Sequence, residues 1–446
     1  MKVDPSSLTA AQAAREIREG HLSSVDLVKA CLARIELTEP AIQAWVHLDA
    51  KQALDQAAEM DRIRRAGMGL GSLHGVPVGL KDIIDTSDMP TRRGSPIFAE
   101  RNPGTDAALV DRLRDAGAVI MGKTVTTEFA FLNPSHTRNP HDAARTPGGS
   151  SSGSAAAVAA CHVPLAIGTQ TNGSVIRPAS FCGVYGFKPT SGVISRRGVL
   201  QTSVSLDQVG VFGRSLEDVA LLSDALAGHD STDPASFPRP RPAMANGVRQ
   251  EVPVEPDLAF FEMPFHDRLS ADAREGIDLV IDALGTRVSR LRPADTMADL
   301  VGVQATIHEY EICAHLADTF ATHWDQISPL LQTTVERGRK ISRAQYEDAL
   351  AVKTSAQVFF ADFFREFDAI IAPSAAGEAP AFESGTGDPI FCTLWTLAGL
   401  PSLTLPLLVG ENGLPIGVQL IGPVEKDDRL LRTANWLQTK LAADAV

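Results

Sequence analysis

No run of 18 apolar residues occurs in the 446-residue chain, so no membrane-spanning helix is expected. The N-terminus, MKVDPSSLTAAQAAREIREG, is too polar for a signal peptide. Cysteine is scarce and scattered: Cys31, Cys161, Cys182, Cys313 and Cys392 are odd in number and form no CxxC pair. A disulfide framework or zinc site is therefore not expected, and the thiols read as buried and free in a reducing compartment. Positive charge is also in deficit. Lys and Arg total 41 against 54 Asp and Glu, a net charge of −13. That argues against nucleic acid as the main partner, because phosphate binding needs a concentrated basic surface. No internal repeat is visible, and the cytoplasm follows by default.

What is present is globular in composition, with 44% hydrophobic and 21% charged residues. The first 70 residues read as helices. Thr9 can cap 10–19, Ser23 with Asp26 resembles a capping box, and Asp49 can cap a third helix ending near Gly67. From Leu73 short apolar runs alternate with helical segments. VPVGLKDII (76–84), AVIMG (118–122), PLAIGT (164–169) and GVYGFKPT (183–190) read as strands, and 107–116 and 152–161 as helices. Such alternation indicates an α/β domain. The Pro-rich stretch 237–256 reads as a surface loop, and 258–370 as mostly helical. DAIIAP (368–373), SLTLPLL (402–408) and GVQLIG (417–422) read as strands, and 430–441 as the last helix.

The serine run Gly148-Gly149-Ser150-Ser151-Ser152-Gly153-Ser154 leads straight into AAAVAA. It is a loop–helix junction rather than a linker, and such a junction presents backbone N–H groups and a positive helix end. By itself it reads equally well as a tight turn with capping serines. Gln170-Thr171-Asn172-Gly173-Ser174 follows the PLAIGT strand. Its consecutive N–H groups before a serine are what acyl transfer needs, a nucleophile beside donors aimed at an oxyanion. The histidines supply no recognisable base: His162 falls at a helix end, and His74 and His141 in loops. Lys81, at the end of an apolar strand, is the better candidate, since a buried amine has a depressed pKa.

Together these segments resemble the amidase signature family, the Ser-Ser-Lys amide hydrolases. GVPVGLKD resembles its lysine motif, TPGGSSSGSAAAVAA its Gly/Ser-rich motif, and GTQTNGSVIRPASFCGVYGFKPT its nucleophile segment. The two serines stand 24 positions apart (174 − 150), as in the family. GKTVTTEFAF (122–131), SLDQVGVFGRSLEDVALL (205–222) and LAGLPSLTLPL (397–407) are similar to further family landmarks. The resemblance covers most of the chain and is weakest over 237–365.

The resemblance implies an α/β fold with a mixed central β-sheet surrounded by α-helices, in a single domain over 1–446 with a variable, mostly helical subregion at about 240–370. It implies hydrolysis of a carbon–nitrogen amide bond through an acyl-enzyme, with neither metal nor organic cofactor. Ser174 is the implied nucleophile, Ser150 the bridging serine beside a cis peptide bond, and Lys81 the neutral base. The backbone N–H groups of Thr171, Asn172, Gly173 and Ser174 are the implied oxyanion hole. Ser151 and Ser152 would then hydrogen-bond and cap the helix. Phe129, Phe131, Trp395 and Gly149 are implied substrate-pocket residues, the first three reading equally as plain core. The partner would be a small or aryl amide, with carbamate-, urea- and carboxylate-bearing substrates included, and neither nucleic acid nor membrane; oligomeric state is open, a homodimer included.

This chain departs from the family pattern at three places. Gln170 stands where Asp is common, Asn172 where a second Gly is common, and Arg177 falls three rather than two residues after Ser174. One residue turns a strand side chain to the other face, so Arg177 is a candidate partner for a substrate carboxylate. Bonding to loop carbonyls is its alternative. Two rival functions stand beside hydrolysis. One is the amidase-type subunit of a glutamyl-tRNA(Gln) amidotransferase, which these departures fit poorly. The other is a catalytically dead binding protein, against which the presence of all three relay residues counts.

Overall fold

The structure, a computed structural model, describes residues 4–240 and 242–444. Eleven strands form one sheet: β1 (Trp45–Leu48), β2 (Pro77–Lys81), β3 (Val119–Thr124), β4 (Leu165–Gln170), β5 (Tyr185–Lys188), β6 (Gln208–Gly213), β7 (Leu258–Phe261), β8 (Val288–Leu291), β9 (Ala369–Pro373), β10 (Ser402–Val409) and β11 (Pro415–Ile421). Their order is β1-β3-β2-β4-β6-β5-β10-β11-β9-β7-β8. The sheet is mixed. β3, β2 and β4 run parallel, β4 through β9 pair antiparallel, and β9, β7 and β8 are again parallel. Helices cover both faces, as the alternation of elements predicts.

Local chemistry sets the first helices. Thr9 and Gln12 form a reciprocal capping box on Ala10–Glu19, which ends at Gly20 in the left-handed conformation. The Ser23 side chain accepts from the Asp26 N–H, and that of Asp49 from the Gln52 N–H, opening the next two helices. Ser23 is thus a simple cap rather than half of a box.

One expectation is corrected in the middle of the chain. The stretch 237–256 is not only loop: Met244–Arg249 is helical, its first N–H groups accepted by the Asp224 carboxylate at 2.9 and 2.8 Å. The region after 258 is mostly helical, and it also holds β7 and β8, which extend the sheet beside β9. LAFF of β7 is buried on both faces, Leu258 and Phe260 in one core cluster, Ala259 and Phe261 in another. A strand buried on both faces shows no polar alternation, so its pattern resembles a buried helix segment.

The sheet places the site. β4 sits between β2, parallel to it, and β6, antiparallel. The carboxyl ends of β2 and β4 therefore lie side by side, and there an open α/β sheet leaves its binding crevice. The Ser152–Ala159 helix packs behind them with every residue but the last buried. Small side chains let it approach closely. A Cβ on Gly153 would stand 2.3 Å from the Ala44 carbonyl oxygen and 2.4 Å from the Val125 nitrogen.

Candidate active site

Lys81 is the last residue of β2 and has no exposed surface. Its Nζ donates to Ser150 Oγ at 2.7 Å and to Thr169 Oγ1 at 2.8 Å. Neither acceptor is a carboxylate, so no bonded partner compensates the ammonium for lost hydration. Burial accordingly lowers the Lys81 pKa to about 7, with Asp207 pulling it upward as the lesser influence. A large neutral fraction then exists near neutral pH.

Ser150 is buried and follows a cis peptide bond from Gly149. Both flanking carbonyls are held. The Gly149 oxygen accepts from Arg177 Nη2 at 2.7 Å, and the Ser150 oxygen from Thr126 Oγ1 at 3.2 Å and the Thr127 N–H at 3.3 Å. Ser151 Oγ lies 3.3 Å from both the carbonyl oxygen and the nitrogen of Thr169. It braces β4 and makes no side-chain cap on the helix it precedes, while Ser152 Oγ is buried without a partner. The capping role expected of these two serines is therefore not what they do.

Ser174 is half-buried in the turn between β4 and the Ile176–Cys182 helix. With Thr171, Asn172 and Gly173 it lines a cavity of about 220 Å³, closed by Phe131, Leu132, Gln304, His308 and Pro389. The two departures from the family pattern brace this turn. Gln170 Oε1 accepts from the Val175 and Ile176 N–H groups at 2.8 and 3.0 Å, satisfying the start of the helix, and its Nε2 donates to Thr396 at 2.9 Å. Asn172 Nδ2 donates to Gln304 at 3.3 Å, its Oδ1 accepts from Thr393 at 2.6 Å, and its backbone oxygen from Thr396 at 2.5 Å. Gln304 also donates to the Thr171 carbonyl at 3.1 Å.

Arg177 lies on a helix, not a strand, so the face argument does not apply to it. Its guanidinium is buried and donates to the Gly387 carbonyl at 2.8 Å, to the Gly149 carbonyl and to the Thr386 hydroxyl. Loop bonding is its role. Without a carboxylate partner, desolvation lowers its pKa to about 10. Among the expected pocket aromatics, only Phe131 lines the cavity, edge-on to His308 at 5.0 Å between ring centroids. Phe129 is core, packed edge-on against Phe98 and Phe320, and Trp395 is core between Phe261 and Phe360. Gly149 contributes through its carbonyl; a Cβ there would meet Thr386 at 2.7 Å.

The histidines conspicuous in the sequence lie elsewhere. His162 is bonded to Thr38 and Trp45, His141 to the Cys182 carbonyl and His74 to that of Met60. The histidine that reaches the cavity is His308, hidden in sequence within an apolar helical segment. Two other lysines are fully buried and equally unforeseen. Lys123 bonds the Ile84 carbonyl and Thr91, and Lys188 bonds Gln208 at 2.6 Å and the Leu400 carbonyl at 2.5 Å. Burial lowers them to about 8 and about 7. Depressed basicity alone thus does not single out a base; Lys81 differs from the other two in having a serine hydroxyl at 2.7 Å within the serine run.

A family model described as amidase matches residues 26–431. The chain belongs to the amidase family. A curated relative of this amidase-family chain, a glutamyl-tRNA(Gln) amidotransferase subunit of Chloroflexus aggregans, is 34% identical over 97% of this chain and 96% of its own length. Among solved structures, a vestigial protein complex bearing on the origins of an s-triazine catabolic enzyme aligns with TM-score 0.91 and 30% identity over 97% of this chain and 98% of that one. The peptide amidase of Stenotrophomonas maltophilia aligns with TM-score 0.83 and 30% identity, covering 97% of each. Amidase-family neighbours and this chain share the mixed sheet and its helical cover. No helix among the described residues is long and apolar enough to cross a membrane.

Proposed function

We propose that this chain hydrolyses the carbon–nitrogen bond of a small neutral amide, with Ser174 as nucleophile, Ser150 as bridge and Lys81 as base. The observation that carries the reading is the buried Lys81 amine donating to Ser150 at 2.7 Å. Neutral Lys81 takes the Ser150 proton as Ser150 takes that of Ser174. The Ser174 oxygen bonds to the acyl carbon, and the oxyanion is met by the N–H groups of residues 171–174. The C–N bond then breaks, the relayed proton passes to the leaving nitrogen, and water releases the acid from Ser174.

The cavity supports a neutral acyl group. An engineered pocket of roughly 150 Å³ holds benzene, so 220 Å³ fits a small aryl or short aliphatic group. Its Arg177 is engaged by carbonyls and its Glu309 by Arg337. Burial lowers the His308 pKa, leaving no free cation for a substrate carboxylate among the described residues that line the cavity.

A second reading has a specific observation behind it, the 34% identity to an amidotransferase subunit over nearly the whole chain. The same serine would then cleave the glutamine side-chain amide and pass ammonia to a partner chain. A panel of aryl, short aliphatic and dicarboxylic amides with glutamine, run on wild type and Ser174→Ala, separates the cases. Hydrolysis of neutral amides by wild type alone is expected. Equal turnover by Ser174→Ala would overturn the mechanism, and glutamine cleavage that appears only with a co-purified second chain would favour the second reading.

A further inference from the structure

Asp207 has no part in the proton relay, yet its carboxylate reaches the site from the residue just before β6. Its Oδ1 accepts from the Thr171 hydroxyl at 2.5 Å and the Thr202 hydroxyl at 3.3 Å. Its Oδ2 accepts from the N–H groups of Thr202 and Ser203 at 2.7 and 3.0 Å. Its carbonyl accepts from Arg196 Nη1 at 3.1 Å, and Arg196 is itself paired with Asp233 at 2.8 Å. Both carboxylate oxygens and the main chain are therefore fixed, and the group is buried.

Its position relative to Lys81 follows from β4. Lys81 donates to the Thr169 hydroxyl, and Thr171, two residues on, donates to Asp207. β4 ends at Gln170, so Thr171 is the first residue of the turn beyond it, and Gln170 pairs with Gln208, the neighbour of Asp207. Lys81 ends β2 on one side of β4 and Asp207 immediately precedes β6 on the other, both at the carboxyl end of β4.

We propose that Asp207 is a positioning residue of this site: it anchors the Thr171 end of the oxyanion turn and holds a negative charge at the carboxyl end of β4, where Lys81 also lies. The inference rests on the reading that Lys81 activates Ser174 through Ser150. It agrees with the upward pull of Asp207 on the Lys81 pKa. The other charged or titratable groups facing Asp207 are accounted for. His308 lies 3.0 Å from the Thr202 hydroxyl, Glu311 is bonded by Ser203, Ser205 and Tyr346, and Arg196 reaches only the carbonyl.

The test needs no knowledge of the substrate. A fluorophosphonate phosphonylates an activated serine, displacing fluoride as the serine proton leaves, and its second-order rate is followed against pH for the full chain. Ser174→Ala comes first, because labelling as fast as wild type would sink the nucleophile assignment itself, before any Asp207 variant is made. Given a wild-type acid limb centred near 7, Asp207→Asn is expected to centre at least about one pH unit lower, as the lysine loses its counter-charge. Thr171→Val, which keeps the charge and removes the anchor, is expected to lose about tenfold at the plateau with its midpoint unmoved. A wild-type midpoint in Asp207→Asn, or a wild-type plateau in Thr171→Val, overturns the proposal. Should Asp207→Asn not fold, the Thr171→Val plateau decides.

Discussion

At the level of single residues, the chemistry turns on an amine held without a bonded counter-ion. The folded Lys81 pKa, about 7, lies below the ordinary lysine value. Between that value and about 10.4 the unfolded chain therefore carries a proton that the folded chain does not. Stability from this group rises with pH across the window, and its penalty is full below 7. Lys81→Met is accordingly expected to abolish amide cleavage while melting at or above the wild-type temperature at pH 6. The margin should shrink as pH is raised toward 10; thermal melts across pH check it, and a destabilised variant at pH 6 would count against a neutral, desolvated amine. Arg177 makes the opposite prediction. Arg177→Ala strips donors from two carbonyls, each loss worth about 1–3 kcal/mol, so stability should fall by about 2–6 kcal/mol in denaturant titrations. Rates on neutral and acidic amides should fall by the same factor; a selective loss on acidic amides would restore a carboxylate-binding role.

Among the elements, the Ser152–Ala159 helix is built to come close rather than to be a good helix. Gly153 illustrates this. Gly to Ala inside a helix ordinarily stabilises by about 1 kcal/mol, but here the added methyl meets the Ala44 and Val125 backbones. Overpacking of that kind costs about 1–3 kcal/mol. Gly153→Ala should therefore lower the melting temperature and slow turnover by displacing Ser150; a stabilised, fully active variant would show that the close approach is dispensable. What can be read from sequence divides along the same line. Lys81, Ser150 and Ser174 stand in contiguous motifs whose chemistry is local, and so do the strands and caps around them. The braces are not legible, because their partners lie far off in the chain. Gln170 meets Thr396, Asn172 meets Gln304 and Thr393, and Thr171 meets Asp207. For Arg177 the loop-carbonyl alternative is the one the structure shows; the carboxylate reading took the short helix that carries it, with its apolar start, for a strand. Phe129 and Trp395 stay open in the sequence because an aromatic in a family landmark looks alike as pocket or core; in the structure they pack as core.

In the molecule as a whole, one sheet runs from β1 to β8 and includes both strands of the variable region. That region is tied into the same core and supplies Gln304 and His308 to the cavity wall. The part of the chain with the weakest sequence signal thus lines the cavity beside Ser174, while Lys81 ends β2 and Ser174 lies in the turn after β4. In the proposed reading, substrate choice falls largely to the helix Leu300–His315 and the chemistry to the ends of β2 and β4. The central claim is that, of the several serines gathered here, Ser174 alone carries the acyl group. It is tested by mixing the purified chain with a turned-over amide, quenching in acid, digesting, and locating the added acyl mass by peptide sequencing in the mass spectrometer. The adduct is expected on Ser174, with none in Ser174→Ala. An adduct on Ser150, or an undiminished adduct in Ser174→Ala, would contradict the claim.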